Sequence, residues 1–307
     1  MRWTNQDKIY VIVNAKAGLG SGTSRFVRKI LGLSDREDMT HAELLARLKE
    51  ELCAHAFDCQ IAETASSGHG TELARQAVEQ GYKAVIAVGG DGTINEVATG
   101  LKGTDVALGI IPFGTANLLA MEMGIPCAIK EACDVIRKGQ TRRCDMGEIG
   151  GKNFVVMAGV GLDAYVVRSV TSTLKEQWGA LSYVIQTVAG LCSYRLKPIT
   201  VELPTGEKFS PYFIFIQNGR FYAGKYLMAP AASMQDGYLD MISVMRPNPA
   251  DVMAYLLGQG KKHPAVRVDK ITSCRLTDHH LFECDGDFAG EGSAEVKVIP
   301  NAIEIIC

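Results

Sequence analysis

The chain has 307 residues, 47% of them apolar and 21% charged, globular values that exclude extensive disorder and leave room for two domains. Its 32 Lys and Arg against 34 Asp and Glu exclude the basic excess of a nucleic-acid binder, so global charge names no partner. Nine cysteines, an odd number with no Cys-x-x-Cys pair, speak against a disulfide framework or a zinc site and read as reduced, cytosolic thiols.

Residues 1–8 lack the apolar core of a secretory signal, and no uninterrupted stretch is long enough to span a bilayer. The nearest approach, 178–194, carries Ser182, Gln186 and Thr187 and reads as a buried helix, with an interfacial role as the alternative. At the start, 9–13 is a strand-like run that ends in Asn14-Ala15-Lys16-Ala17-Gly18-Leu19-Gly20-Ser21-Gly22. This turn is as good a flexible connection as a ligand loop, since it has neither Walker nor dinucleotide spacing. Thr40 and Glu43 have capping-box spacing and open a helix to about His55, with Leu44, Leu45, Leu48 and Leu52 on its apolar face. A strand at 57–62, a helix at 71–80 and a strand at 84–88 follow.

That third strand breaks into Gly89-Gly90-Asp91-Gly92-Thr93-Ile94-Asn95-Glu96. Three glycines without Cβ atoms allow positive φ and close approach of a large anion to backbone N–H groups, and a helix start beyond them adds donors and dipole. Asp91 would repel bare phosphate, so it makes better sense holding Mg²⁺ against a nucleotide, a metal–phosphate role rather than a fold role. The plainer alternative is that Thr93 and Glu96 form a capping box and Asp91-Gly92 an ordinary turn.

A helix over 94–101 and a buried strand over 107–111 lead to a third such loop, Pro112-Phe113-Gly114-Thr115-Ala116-Asn117. In a doubly wound parallel sheet, ligands collect outside the carboxyl ends of the strands, where loops distant in sequence converge. From about Cys144 the character changes. Segments 153–157, 199–203, 212–217, 239–244 and 270–274 read as strands of a mainly antiparallel domain, with helical intervals at 165–194 and 249–257.

Five blocks in this order resemble the diacylglycerol kinase catalytic-domain family, which includes sphingosine kinases and soluble bacterial lipid kinases. They are Val13-Asn14-Ala15-Lys16-Ala17-Gly18, the stretch from Gly89 to Glu96, Pro112 to Asn117, Asp236-Gly237-Tyr238-Leu239-Asp240, and Asp285-Gly286-Asp287. The resemblance implies an α/β nucleotide-binding domain with a doubly wound, mostly parallel sheet over 1–143, to which about 296–307 return. A β-rich, antiparallel, sandwich-like lipid-substrate domain over 144–295 follows, with the active site in the cleft. It also implies ATP and Mg²⁺ as cofactors. Asn14, Thr64, Gly89, Gly90, Asp91, Gly92, Thr93, Asn95, Glu96 and Thr115 would contact the nucleotide. Ser233, Asp236 and Tyr238 would hold a structural Mg²⁺, for which an Asp-Gly hairpin turn is the equal and compatible alternative. Asp285 and Asp287 would face the acceptor hydroxyl. In extended chain they project to one face, where paired carboxylates supply a base; the alternative is an Asp-Gly turn.

Three departures from the family pattern stand out: Ala15 for a usual proline, Asp287 for a usual glutamate, and Leu118 where many relatives carry a magnesium-supporting aspartate. The resulting expectation is a cytoplasmic lipid kinase that phosphorylates diacylglycerol or a related lipid. It would associate transiently with a membrane surface, without a transmembrane segment or nucleic-acid partner, and the resemblance leaves room for a homodimer. Two alternatives are an NAD kinase, which also uses a Gly-Gly-Asp-Gly loop, and a catalytically idle nucleotide- or lipid-binding module, suggested by Leu118.

Overall fold

A computed structural model describes residues 8–14, 40–169, 196–224 and 226–307. The glycine turn expected at 15–22, and the helical interval from 170 to 194 with its apolar stretch 178–194, lie outside the described residues. The chain forms two compact units, one of Met1–Cys144 with Asn301–Cys307 and one of Asp145–Pro300.

In the first unit, β1 (Lys8–Asn14), β2 (Asp58–Thr64), β3 (Ala84–Gly89) and β4 (Ala107–Pro112) form a parallel sheet in the order β2-β1-β3-β4. Residues Glu304 and Ile305 of β16 (Asp287–Ile306) add alongside β4, also in parallel. Every residue of β3 and β4 is buried, as expected of strands covered on both faces, which read as unbroken apolar runs. The register sets Asn14 opposite Thr64, Val13 opposite Val88 and Gly89 opposite Pro112, so four strand ends finish in one row.

The helices of this unit are α1 (His41–Ala54), α2 (His69–Glu79), α3 (Asp91–Leu101), α4 (Leu118–Met123) and α5 (Ile129–Lys138). At α1 the expected capping box is present: the Glu43 carboxylate accepts the Thr40 N–H at 2.7 Å and the Thr40 hydroxyl accepts the Glu43 N–H at 3.3 Å.

The second capping box is absent. Helix α3 starts at Asp91 behind Gly90, with no side-chain cap. Glu96 instead reaches the neighbouring helix, where its carboxylate accepts the N–H groups of Gly68 at 2.7 Å and Gly70 at 2.9 Å. Helix α2 needs this help because its own cap residue, Gly68, has no side chain to offer. The two helices pack closely, since a Cβ at Gly100 would lie 2.6 Å from the Ala74 Cβ and 2.7 Å from the Thr71 carbonyl oxygen.

The second unit is an antiparallel sheet in the order β14-β13-β10-β7-β15-β16. Its members are β7 (Met157–Val160), β10 (Phe213–Gln217), β13 (Leu239–Val244), β14 (Val266–Ile271), β15 (Ser273–Cys284) and the first part of β16. Smaller pieces are β5 (Thr141–Ile149) with β6 (Lys152–Phe154), β8 (Val201–Glu202) with β9 (Lys208–Phe209), and the ribbon of β11 (Phe221–Tyr222) and β12 (Tyr226–Leu227). Ile214 and Ile216 of β10 join one apolar cluster with Phe154, Leu239 and Met241. Phe213 and Phe215 join another with Ile242, Leu162 and Val166 of α6 (Leu162–Ser169), and Leu256 of α7 (Pro249–Leu257). Both faces of β10 are therefore buried, as its period of two requires for an unbroken apolar run.

Two expected strands are divided. The stretch 153–157 breaks between β6 and β7, because the N–H groups of Val155, Val156 and Met157 turn to a side chain, that of Asp285. The stretch 270–274 spans the junction of β14 and β15. The long hairpin of β15 and β16 was not anticipated, although Ala294 and Val296 alternate with the exposed Glu295 and Lys297 in a way that signals a strand.

Because Glu96 supplies the cap that Gly68 lacks, Glu96→Ala is expected to lower stability by about 1–2 kcal/mol, the range for a lost helix cap. Glu96→Gln should cost less. Thermal melts of the two variants against the parent measure this, and an unchanged Tm in Glu96→Ala would contradict it.

Candidate active site

In the first unit the loops after β3 and β4 are joined backbone to backbone. A Cβ on Gly114 would sit 2.4 Å from the Gly90 Cα, and one on Gly90 would sit 3.1 Å from the Gly114 Cα. The Phe113 N–H donates to the Gly89 carbonyl at 2.7 Å. Gly89, Gly90 and Gly92 are absent from the positive-φ conformations of the chain, and Gly90 has φ −91°. The expectation of positive φ is thus corrected, and Gly89 and Gly90 serve close approach rather than left-handed backbone. At Gly89, an added Cβ would lie 2.7 Å from the Thr93 hydroxyl.

Asp91 bridges the two loops. Its Oδ2 accepts the Asn117 N–H at 2.9 Å and its Oδ1 accepts the Leu118 N–H at 2.6 Å, so the carboxylate lies at the N-terminus of α4, where donors and dipole favour an anion. Asp91 therefore has a fold role, contrary to the reading that assigns it to metal and phosphate alone. Asn117, buried at φ 51°, closes the loop further, its amide accepting from the Gly114 N–H at 2.8 Å and donating to the Gly114 carbonyl at 3.1 Å. The Leu118 side chain is buried, and only its N–H takes part.

Around this junction stand Asn14, whose amide donates to the Thr93 hydroxyl at 2.9 Å, and Thr64, opposite Asn14 in the sheet. Thr115 lies in the loop before α4, and Asn95, half-buried on α3, accepts from the Thr99 hydroxyl at 3.2 Å. The structure thus brings Asn14, Thr64, Gly89, Gly90, Asp91, Gly92, Thr93 and Thr115 to one end of one sheet. Glu96 is committed to α2. A single carboxylate among hydroxyl and amide groups suits Mg²⁺, which takes one or two carboxylates and keeps water and phosphate oxygens as its other ligands.

In the second unit, Asp285 and Asp287 are not in extended chain. Asp285 at φ 48° and Gly286 at φ 84° form a two-residue hairpin turn, with Cys284 paired to Asp287 across it. Asp285 is buried. Its Oδ2 accepts the Val155 N–H at 2.7 Å, and its Oδ1 accepts those of Val156 and Met157, each at 2.9 Å. Three donors commit this carboxylate to holding 155–157, whereas Asp287 is exposed at the start of β16.

Behind the turn lies a cluster that sequence reasoning missed. Glu283, 1% exposed, accepts the Gly286 N–H at 2.7 Å through Oε2. A Cβ at Gly159, its partner in the ladder, would lie 2.7 Å from Glu283 Oε1 and 2.3 Å from Asp163 Oδ2, so two carboxyl groups crowd one spot. The Tyr222 hydroxyl donates to Asp163 Oδ1 at 2.7 Å. Burial pushes the Asp163 carboxyl up to about 6, against the lowering effect of its hydrogen bonds. Burial, then the Asp163 charge, raises Glu283 well above the carboxylate range. A visible signal was Glu283 itself, an acid between Phe282 and Cys284 in an otherwise apolar strand end.

The loop with Ser233, Asp236 and Tyr238 has a different character from the expected metal site. Asp236 Oδ1 accepts the Tyr238 N–H at 3.1 Å, and the Lys270 ammonium stands on Asp236 Oδ2. The same ammonium lies 3.8 Å from Asp240 Oδ2 and 5.9 Å from the Tyr238 ring centroid. Its hydrogen bond to Asp236 raises the Lys270 pKa, which keeps the group charged. Asp145, also buried, accepts the Gly237 N–H at 2.8 Å. Among the described residues no group of three or more His, Cys, Asp or Glu is placed to hold a metal. An ammonium therefore already stands on the one carboxylate of the expected set, Asp236.

Comparison with known proteins adds the lineage. The profile of the diacylglycerol kinase catalytic domain matches residues 37–149, and that of the YegS C-terminal NAD kinase beta sandwich-like domain matches 155–307. A diacylglycerol kinase of Staphylococcus saprophyticus is 32% identical over 260 residues, covering 81% of this chain and 85% of that protein. A probable lipid kinase YegS-like protein of Chromohalobacter salexigens is 36% identical over 207 residues, 66% of this chain and 65% of its own. A crystal structure of a diacylglycerol kinase from Bacillus anthracis superposes with a TM-score of 0.71 at 21% identity, covering 99% of this chain and 98% of that one, and shares the fold. With the strand-end loops, the antiparallel second unit and these relatives in agreement, the chain belongs to the diacylglycerol kinase family of lipid kinases.

Proposed function

We propose that this protein transfers the γ-phosphoryl group of ATP, in the presence of Mg²⁺, to the hydroxyl of a lipid, diacylglycerol or a close relative. The observation that carries this is the Gly90–Gly114 contact with Asp91 across it, which fixes two loops at the end of a parallel sheet. Such strand ends are where doubly wound sheets bind nucleotides. The relatives' names point to a lipid acceptor rather than to NAD.

On this reading the first unit holds the nucleotide. Asn14, Thr64, Thr93, Asn95 and Thr115 offer hydroxyl and amide groups to it, and the glycine backbones let phosphates approach N–H donors. Asp91 would hold the metal, and Mg²⁺ when bound screens the phosphate charges. The second unit supplies the acceptor side. Asp287 takes the proton of the lipid hydroxyl as its oxygen attacks the γ-phosphorus and the bond to ADP breaks, while Asp285 positions the turn that carries Asp287. Among the described residues no helix is long and apolar enough to cross a membrane, and we place the reaction at a membrane surface reached from the cytoplasm.

Labelled ATP, Mg²⁺ and a total lipid extract test the proposal. A labelled lipid is the expected product, and labelled NADP formed from NAD without any labelled lipid would overturn it. Asp91→Asn should abolish most transfer and also lower stability by about 1–3 kcal/mol, since an amide leaves one of the two loop N–H groups facing a donor. A mutant with both parental Tm and parental turnover would remove Asp91 from both roles.

Asp287→Asn should lower kcat at least about 100-fold, in the range for loss of a general base, with little change in the ATP dissociation constant. Asp285→Asn should act mainly on the fold, with a Tm fall of several degrees because three N–H groups lose their anionic acceptor. Equal Tm in both variants, with the larger kcat loss at Asp285, would reverse the two assignments.

The Asp236 loop gives a metal-removal test. In nucleotide-free protein, chelation by EDTA should leave the parental Tm unchanged, because Lys270 already provides the cation. Lys270→Met should melt earlier and regain stability when Mg²⁺ is added. A fall in the parental Tm on chelation would show that a metal is held there after all.

A further inference from the structure

Glu283 and Asp163 lie outside the catalytic reading above, yet they form a buried titratable cluster directly behind the turn that carries Asp287. Glu283 Oε1 has no hydrogen-bond partner among the described residues other than the Asp163 carboxyl, and the residue is 1% exposed. Its other oxygen holds the Gly286 N–H at 2.7 Å. Asp163, from the first turn of α6, shares the space over Gly159 with it and is tied to Tyr222 of β11. No Lys or Arg is paired with either carboxyl among the described salt bridges.

Two ionised carboxylates so placed would repel one another in a medium that screens poorly, and an enclosed carboxylate without a cation carries a heavy desolvation cost. One proton between them removes both penalties: a neutral carboxylic acid donates to its ionised neighbour and still accepts an N–H on its carbonyl oxygen. We propose that Glu283 is the protonated member of a Glu283–Asp163 acid pair, and that in this form it is a positioning residue for Asp287, fixing the 285–286 turn through the Gly286 N–H. The role of Asp287 in this statement rests on the function proposed above, whereas the shared proton does not.

Among the described residues the groups facing the pair are Tyr222 from β11, the Cys284 thiol of β15, and Asp285 and Asp287 from the turn, all of them acids. None can neutralise a second negative charge. Both members of the pair have pKa values raised by burial. Raised carboxyl values mean that the folded state binds more protons than the unfolded chain, so this contribution is complete below the unfolded carboxyl pKa. It falls as pH rises through about 6 and onward to the higher Glu283 value.

Three variants test the pair. Glu283→Gln preserves the shape, accepts the Gly286 N–H through its amide oxygen and donates to Asp163 through its amide nitrogen, as the protonated acid does. Glu283→Ala removes both contacts, and Asp163→Asn removes one charge.

The parental Tm, followed from pH 5 to pH 9, should fall more steeply than that of Glu283→Gln or Asp163→Asn, by at least about 3 °C across the range, a shift of the size that 1 kcal/mol produces in a unit of this length. Identical slopes in all three would overturn the shared proton, and this arm needs no substrate. In the transfer assay with labelled ATP and lipid extract, Glu283→Gln should keep parental kcat near neutral pH and lose the parental decline at alkaline pH. Glu283→Ala should lose about 100-fold in kcat, the effect of misplacing a reacting group by about 1 Å, with the KM for ATP unchanged. Parental kcat in Glu283→Ala would overturn the positioning role. Absence of lipid transfer by the parent protein would instead fail the proposed function and leave the melting result standing.

Discussion

A contact between two glycine backbones governs the first unit. Gly90 and Gly114 meet so closely that a Cβ on Gly114 would overlap the Gly90 backbone and one on Gly90 would press against Gly114, and Asp91 then ties the approach with one carboxylate across the N–H groups of Asn117 and Leu118. An isolated loop of small residues would pay a large conformational entropy for such order. Here the order is imposed by the sheet, whose register ends β3 and β4 side by side at Gly89 and Pro112. Position at the strand ends, freedom from Cβ atoms and an anionic clasp are thus one device.

The second unit solves a similar problem with the opposite tool. Its turn at Asp285 and Gly286 has positive φ at both positions, and the strain that a non-glycine residue incurs there is offset by three hydrogen bonds from 155–157 to the Asp285 carboxylate. Glu283 adds a fourth tie from behind. At the Asp236 loop a lysine supplies charge where an ion was expected. Acidic residues in this unit thus organise backbone as much as they offer chemistry, which is why motif spacing alone assigns them poorly.

Much of the fold was legible because parallel strands with both faces covered are unbroken apolar runs, and the helices between them keep one apolar stripe. The Thr40 capping box was readable, being local. The one weighed as an alternative at Thr93 does not form, because Glu96 finds donors on α2 instead, and no rule confined to one helix contains that competitor. Asp91 and the glycine loops were visible as loops that converge at one sheet end, but the purpose of the glycines was not: close approach to Gly114 is a property of two strands, not of one loop. Asp163, Glu283 and Lys270 were overlooked for the same reason, since each acquires its role from a partner at least 30 residues away in sequence. The β15–β16 hairpin escaped because register shifts between Leu276 and His280, and between Phe282 and Glu283, interrupt the alternation that would have revealed it.

The first unit is closed by residues 301–307, which follow the whole of the second unit in the chain. Until they arrive, β4 presents an unpaired edge, with the backbone groups of Ala107 and Leu108 lacking their partners Glu304 and Ile305. During synthesis the amino-terminal unit therefore cannot complete its sheet when its own first 144 residues have left the ribosome. It must wait for about 150 more, roughly 8–30 s at ordinary elongation rates, with a bare apolar edge of the kind that invites mispairing. Chain order makes the first unit the last to be finished, and a truncated product would emerge with its loops in sequence but not in place.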